Sequence, residues 1–186
     1  MIPQRNLSLL SNRLEREGGR RIPEAVLERD YCLAWLLVGL SRSPLRERLA
    51  FKGGTAIKRC HFGDYRFSED LPEGAVVRAY SLDEIAVEKV VALGDRARNE
   101  PRDLYDAWYL TSEGHVDLGG LRGGVEGKLE FRGRTLATLG EEFRKKEPRL
   151  RKLWSARLAA QMVRLPEFDG VFRALQRSLR RAGLMG

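Results

Sequence analysis

The chain has 186 residues, of which 42% are hydrophobic and 32% are charged, and its formal net charge is +8. This composition excludes an intrinsically disordered chain and fits one folded domain, or one domain with a helical extension. The longest apolar run, from Tyr31 to Leu40, is too short to cross a bilayer, and the N-terminus shows no secretion signal. We therefore expect a cytoplasmic protein with no membrane partner.

The positive charge is concentrated near the C-terminus. Residues 141–186 contain twelve Lys or Arg and five Asp or Glu, so this segment alone carries +7 (12 − 5). A basic surface attracts the phosphate backbone of nucleic acids, but a solvated, arginine-rich helix face has the same composition. Both interpretations stay open.

The first half of the chain alternates predicted helices with short strands. Apolar residues spaced by three and four positions predict an amphipathic helix from Pro23 to Leu40. A second, short helix is predicted from Ser43 to Arg48, because a serine followed by a proline is typical of a helix start. The apolar run Leu49–Phe51 reads as a strand that enters the glycine pair Gly53-Gly54, and a brief helix is predicted over Thr55–Cys60.

Two further strands and a capped helix are predicted next. The segments Tyr65–Leu71 and Ala75–Tyr80 have strand-like composition, and a turn separates them. Ser81 and Glu84 have the spacing of a capping box, in which each side chain binds the backbone amide of the other residue. A helix to about Leu93 is therefore predicted behind Ser81.

The remaining residues predict a helical C-terminal region. A helix is expected to begin at Asn99–Pro101, whereas six glycines between residues 113 and 127 predict a loop or hinge. The predicted fold is α+β and predominantly helical, with a small mixed sheet. We expect a core with N-terminal helices over residues 1–110, and a Gly-rich hinge with basic helices over residues 111–186.

Two motifs in the first half have side chains suited to phosphate and metal chemistry. In Gly53-Gly54-Thr55, the glycines allow backbone amides to approach a phosphate closely, and the threonine adds a hydroxyl donor. Asp70 follows on the next predicted strand, where Mg²⁺-dependent nucleotidyl transfer commonly uses Asp-x-Asp, because alternate strand residues face the same side. Here the second position is Pro72, and an exposed strand end is the alternative interpretation of Asp70.

Two further motifs lie on predicted helices. Lys89 is near the apolar border of the capped helix, where its side chain can reach a phosphate or simply form a surface pair. Arg102 and Asp106 are four residues apart on one helix face, which is the spacing of a salt bridge. Alternatively, Asp106 acts as a base or orients Lys89, while Arg102 meets a phosphate.

The order of these motifs resembles that of the AbiEii/AbiGii-type nucleotidyltransferase toxin family of bacteria and archaea. The resemblance covers most of the chain and rests on five segments in series: Leu27–Tyr31, Phe51–Ala56, Tyr65–Leu71, Tyr80–Ile85 with Glu88-Lys89, and Arg102–Asp106.

The resemblance implies a reduced polymerase-beta-like nucleotidyltransferase core followed by helices. It implies transfer of a nucleotide from a nucleoside triphosphate to an RNA such as tRNA, with Mg²⁺ as cofactor, by a toxin that has a cognate antitoxin. It also implies roles for particular residues: Gly53, Gly54, Thr55, Ser68 and Lys89 in nucleotide binding, Asp70 as metal ligand, and Asp70, Lys89 and Asp106 in catalysis.

The chain departs from the family pattern after Leu71. The family continues with a second aspartate and further strands, whereas here the segment Pro72–Ala75 leads directly to the Tyr-Ser-Leu helix. This predicts an internal deletion that removed one metal ligand and the central strands. Two functions therefore stay open, an active transferase and a non-catalytic remnant that binds RNA or a protein through its basic helices.

Overall fold

The computed structural model describes residues 3–18, 21–62, 75–162 and 164–186. These residues are mostly helical and contain one sheet of two short strands, which confirms the predicted α+β, predominantly helical class. The chain divides into two compact units: unit 1 has residues 1–80 and 159–164, and unit 2 has residues 81–158 and 165–186. The predicted division into residues 1–110 and 111–186 stays a prediction.

Unit 1 begins with two helices that pack together, α1 (Gln4–Gly18) and α2 (Glu24–Ser41). The Ser8 hydroxyl of α1 donates to Oε1 of Glu24 at 2.7 Å, which fixes the start of α2. Helix α2 matches the predicted helix within one residue at each end. A 3₁₀ helix follows at Pro44–Glu47, and the predicted serine cap is present, since Ser43 Oγ accepts from the Leu45 amide.

The sheet of unit 1 pairs two parallel strands, β1 (Ala50–Phe51) and β2 (Arg78–Ala79). Both lie within segments where the sequence predicts strands. After β1 the chain turns into a short α3 (Gly54–Ala56), which continues as a π-helical turn over Ile57–His61. The predicted strand Tyr65–Leu71 lies outside the described residues.

Unit 2 begins with α4 (Leu82–Leu93), and the predicted capping box is present at its start. The Glu84 amide donates to Ser81 Oγ at 3.2 Å, and the Ser81 amide donates to Glu84 Oε2 at 3.0 Å. These bonds satisfy amide groups that a helix start otherwise leaves without a partner. Residues Ile85 and Val90 face the core from this helix, each at most 1% exposed.

The core of unit 2 forms around α5 (Pro101–Ser112), which contacts α4, α8 (Glu147–Leu158) and α9 (Phe168–Arg181). Leucine and phenylalanine side chains fill the space between these helices, among them Leu104, Leu110, Leu158, Phe172 and Leu175. The helices that follow α4 are α5 (Pro101–Ser112), α6 (Arg122–Phe131), α7 (Leu136–Lys145), α8 (Glu147–Leu158) and α9 (Phe168–Arg181).

The predicted glycine-rich loop is wrong in its second half, because α6 begins at Arg122 and contains three of the six glycines. A Cβ atom at Gly124 would lie 3.3 Å from Cγ2 of Val87 on α4. The glycine therefore allows α6 to approach α4 closely, and this packing outweighs the low helix propensity of glycine. Within the described residues, no helix is long and apolar enough to span a membrane.

Candidate functional site

The glycine turn of unit 1 lies directly after β1. Gly53 has a φ of 87°, a conformation that favours glycine, and the Ala56 amide donates to its carbonyl at 3.0 Å. A Cβ atom at Gly53 would meet nothing within 4 Å, so backbone conformation rather than space explains the glycine. Gly54 and Thr55 form the first turn of α3, as the sequence predicts for a brief helix near this point.

A buried cluster of charges in unit 2 contains two of the predicted site residues, Lys89 and Asp106. The ammonium of Lys89, on α4, lies 2.7 Å from Oδ2 of Asp106 and 2.7 Å from Oδ1 of Asp103, both on α5. All three residues are buried, with Asp106 fully so. Asp103 and Asp106 are three residues apart, so both carboxylates project from one face of α5.

Arg98 completes this cluster from the loop between α4 and α5. Its Nη2 donates to Oδ1 of Asp103 at 3.0 Å, and its Nε donates to Oδ2 of the same carboxylate. This two-point contact is the strong geometry of an arginine–carboxylate pair. We call Lys89, Arg98, Asp103 and Asp106 the charge cluster; it contains two cations and two carboxylates.

The charge cluster keeps Asp103 ionised. Burial alone would raise the pKa of this carboxyl group, but the hydrogen bonds from Arg98 and the charge of Lys89 outweigh burial. The pKa of Asp103 therefore lies below its ordinary value. The carboxylate is an anion at neutral pH and can hold the Lys89 ammonium in one position.

An ammonium group has three N–H bonds, and the two carboxylates direct the Lys89 side chain through two contacts. Such an arrangement fixes the position of a positive charge inside the protein and balances that charge with the adjacent carboxylates. The cluster therefore holds the Lys89 ammonium in one place.

The predicted site residues fall into three groups. Lys89 and Asp106 are in contact in unit 2, whereas Gly53, Gly54 and Thr55 lie in unit 1. The residues Ser68 and Asp70 lie outside the described residues, so their predicted roles stay predictions. Among the residues that the structure describes, no three His, Cys, Asp or Glu side chains gather as a metal site.

Arg102 forms its ion pair with Glu100 instead of the predicted partner Asp106, and its Nη2 lies 3.4 Å from Oε2 of Glu100. Asp103 and Arg98 had no predicted role. The spacing of Asp103 and Asp106 was a usable signal, because residues three apart share a helix face. Arg98 gave no such signal, since a loop residue has no periodic pattern.

Comparison with known families identifies the class of this protein. The family model described as "Nucleotidyl transferase AbiEii toxin, Type IV TA system" matches residues 35–71 and 72–176. The chain therefore belongs to the AbiEii family of nucleotidyltransferase-like toxins of type IV toxin–antitoxin systems, as its motifs predicted. Membership indicates a nucleotidyltransferase-like fold and agrees with a cognate antitoxin as the expected partner. No curated protein and no solved structure matches the chain.

Proposed function

We propose that the protein transfers a nucleotide from a nucleoside triphosphate to the 3′ hydroxyl of an RNA, with a tRNA as the expected acceptor. The observation that carries this proposal is the buried ammonium of Lys89 between the carboxylates of Asp103 and Asp106. A buried charge cluster within a segment that a nucleotidyltransferase family model matches favours phosphate chemistry over an ordinary surface pair.

In the proposed reaction, the RNA hydroxyl attacks the α-phosphate, a new O–P bond forms, and pyrophosphate leaves. Lys89 contacts the triphosphate and stabilises the negative charge that develops during transfer. Asp106 accepts the proton of the attacking hydroxyl or orients Lys89. Asp103 and Arg98 hold Lys89 in place from the other side of the cluster.

The remaining roles are proposed for residues of the first half of the chain. Backbone amides at Gly53 and Gly54, with the hydroxyls of Thr55 and Ser68, contact the triphosphate. Mg²⁺ is the expected cofactor, with Asp70 as a ligand, and when bound it supplies positive charge to the phosphates. Any such metal site depends on residues outside the described part of the chain.

The test of this proposal is incubation with labelled nucleoside triphosphates, Mg²⁺ and total tRNA. We expect transfer by the wild type and a loss of at least about a hundredfold in the variants Lys89→Met, Asp106→Asn and Asp70→Ala. Lys128→Met is the matched control, because Lys128 forms a partly exposed pair with Glu88. Absence of transfer by the wild type, or transfer indifferent to all three substitutions, would contradict the proposal.

A second candidate function is binding of RNA without catalysis, through the basic helix α9. The guanidinium groups of Arg177, Arg180 and Arg181 are exposed, and within the described part of the chain they make no ion pair. The opposite face of α9 is buried, so these arginines form a rigidly presented basic surface. The replacement of the second family aspartate by Pro72 also favours this function.

Salt dependence of tRNA binding tests the second candidate. Replacing Arg177, Arg180 and Arg181 by Gln should reduce the slope of log affinity against log salt by about 2–3, because each lost phosphate contact releases one counterion fewer. Lys145→Gln, at a side chain already paired with Glu141, serves as the control. Binding that is unchanged in the triple variant contradicts a role of α9.

A further inference from the structure

One member of the charge cluster, Arg98, lies in the loop between α4 and α5, residues 94–100. Its guanidinium donates two hydrogen bonds to the Asp103 carboxylate. The position of Asp103 relative to Lys89 therefore depends on where the loop holds Arg98. The question is which groups fix the backbone of this loop.

Lys146, directly after α7, binds the loop through a buried ammonium. Its Nζ donates to the carbonyl of Arg98 at 2.8 Å and to the carbonyl of Ala92, in the last turn of α4, at 3.2 Å. Lys146 is only 6% exposed. One side chain therefore ties the end of α4 to the residue that positions Asp103.

Buried ammonium groups are rare because the charge loses its hydration. Burial lowers the pKa of Lys146 to about 8, although the nearby carboxylates of Asp95, Asp103 and Glu142 favour the charged form; Arg134 opposes it. A methionine or leucine would fill the same space without this penalty. Lysine instead donates one hydrogen bond to the end of α4 and one to the loop, which a methionine or leucine cannot do.

Other contacts hold the loop at its outer side. The guanidinium of Arg134 donates to the carbonyl of Gly94 and to Oδ1 of Asp95, both at 3.3 Å. Arg96 pairs with Glu142 of α7 at 3.0 Å, but its side chain is 76% exposed. These contacts are closer to solvent than Lys146, and they reach the first half of the loop rather than the backbone of Arg98.

We infer that Lys146 is a positioning residue for the transfer site, which fixes the backbone of Arg98 and thereby the Arg98–Asp103 pair that orients Lys89. The inference rests on the proposed transferase function. It assigns Lys146 no contact with substrate. It predicts that the lysine acts on the reaction through Arg98.

Two measurements on the full chain test this inference in the variant Lys146→Met. The first is the ¹³Cζ resonance of Arg98, identified by its loss in Arg98→Gln; it should shift because the ion pair with Asp103 moves. The second is kcat/KM for nucleotide transfer to tRNA, which should fall about tenfold to a hundredfold through misplacement of Lys89. Lys145→Met, at the adjacent exposed lysine, should change neither quantity.

A double variant separates positioning from general stability. If Lys146 acts through Arg98, then Lys146→Met should lower kcat/KM little further in a chain that already carries Arg98→Gln. Independent, multiplicative losses would overturn the inference, as would an Arg98 resonance unmoved by Lys146→Met. Should the methionine variant fail to fold, Lys146→Gln removes the charge but keeps an amide NH2 donor group, and the same two outcomes decide.

The outcomes distinguish this inference from the proposed function. A wild type without transfer overturns the proposed function, and with it the effect of Lys146 on turnover. The Arg98 resonance does not depend on activity, so it still decides whether Lys146 positions the charge cluster. If the wild type is active but Lys146→Met changes neither the Arg98 resonance nor kcat/KM, the inference is overturned and the proposed function is not.

Discussion

Lys89 shows how a buried charge depends on its partners. Its ammonium faces two carboxylates, of which Asp103 has a second cation in Arg98. A paired buried charge adds little net stability, because desolvation offsets most of the attraction. Removal of one partner is different, since the remaining charges stay buried with fewer counter-charges. A single substitution in the cluster should therefore destabilise the fold by more than the cluster as a whole stabilises it.

Removal of the Lys89 ammonium should destabilise the fold strongly. We expect Lys89→Met to lower the free energy of unfolding by about 3–5 kcal/mol, because the buried carboxylates of Asp103 and Asp106 both lose the ammonium that they face. The additional substitution Asp106→Asn should recover part of this loss, since it removes the charge that faced the Lys89 ammonium. Urea denaturation at neutral pH measures these differences.

Lys128→Met provides the comparison for that measurement. Lys128 also pairs with a glutamate of α4, Glu88, but both side chains are partly exposed, so its loss should cost under about 1 kcal/mol. Equal losses for the Lys89 and Lys128 variants, or a further loss in the Lys89→Met, Asp106→Asn double variant, would contradict the role of buried charge.

Lys146 predicts a specific dependence of stability on pH. Its ordinary pKa of 10.5 applies to the unfolded chain, and the pKa in the folded protein is about 8. Below pH 8 the ammonium is charged in both states, and the folded state carries the full desolvation penalty. Between pH 8 and 10.5 the folded state loses the proton first, so the contribution of Lys146 to stability rises with pH.

The difference in free energy of unfolding between wild type and Lys146→Met isolates this effect. It should shift in favour of the wild type between pH 7 and pH 10, by up to about 3 kcal/mol. Groups other than Lys146 titrate in both proteins and cancel in the difference. Urea midpoints at the two pH values provide the measurement, and a pH-independent difference would show that Lys146 keeps an ordinary pKa.

Among the elements, α4 was predictable from the sequence and α6 was not. The start of α4 depends on a local exchange of hydrogen bonds between Ser81 and Glu84, which the sequence spacing alone defines. Helix α6 depends instead on the fit of Gly124 against Val87, which is distant in sequence. Local propensity favours a loop there, and tertiary packing overrides it.

The charge cluster, too, could be predicted from the sequence only in part. The pairing of Lys89 with Asp106 was one of the alternatives that helix spacing allowed, because each residue lies on a helix with a recognisable face. The role of Arg98 in the cluster could not be predicted. Arg98 reaches Asp103 from a loop whose path is set by Lys146 and Arg134. Sequence patterns define faces of helices, but they do not define which loop meets which face.

The close packing of α6 on α4 can be tested by two alanine substitutions on one helix. At Gly127 a Cβ atom would meet nothing within 4 Å, so Gly127→Ala should stabilise the protein by about 0.5–1 kcal/mol through helix propensity. Gly124→Ala should stabilise the protein less than Gly127→Ala or destabilise it, because the added Cβ atom presses on Val87. Gly124→Val should lower the free energy of unfolding by about 1–3 kcal/mol. Thermal unfolding compares them, and equal gains at both glycines would contradict the packing.

For the whole molecule, the two units divide the proposed site residues between them. Gly53, Gly54 and Thr55 belong to unit 1, whereas Lys89 and Asp106 belong to unit 2. The family model likewise matches in two segments that meet between Leu71 and Pro72, the junction at which the sequence predicts a deletion. The charge cluster lies entirely in unit 2.

This division predicts that a fragment of residues 81–186 folds alone and does not transfer nucleotides. It contains α4 to α9 with their buried side chains. We expect a cooperative thermal transition by circular dichroism, since small domains with their own core unfold in one step.

Arg177→Ala, at an exposed position of α9, should leave that transition nearly unchanged. Leu175→Ala, at a fully buried position two residues earlier, should lower the stability by about 2–5 kcal/mol, and equal effects of the two variants would show that α9 does not pack in the isolated fragment.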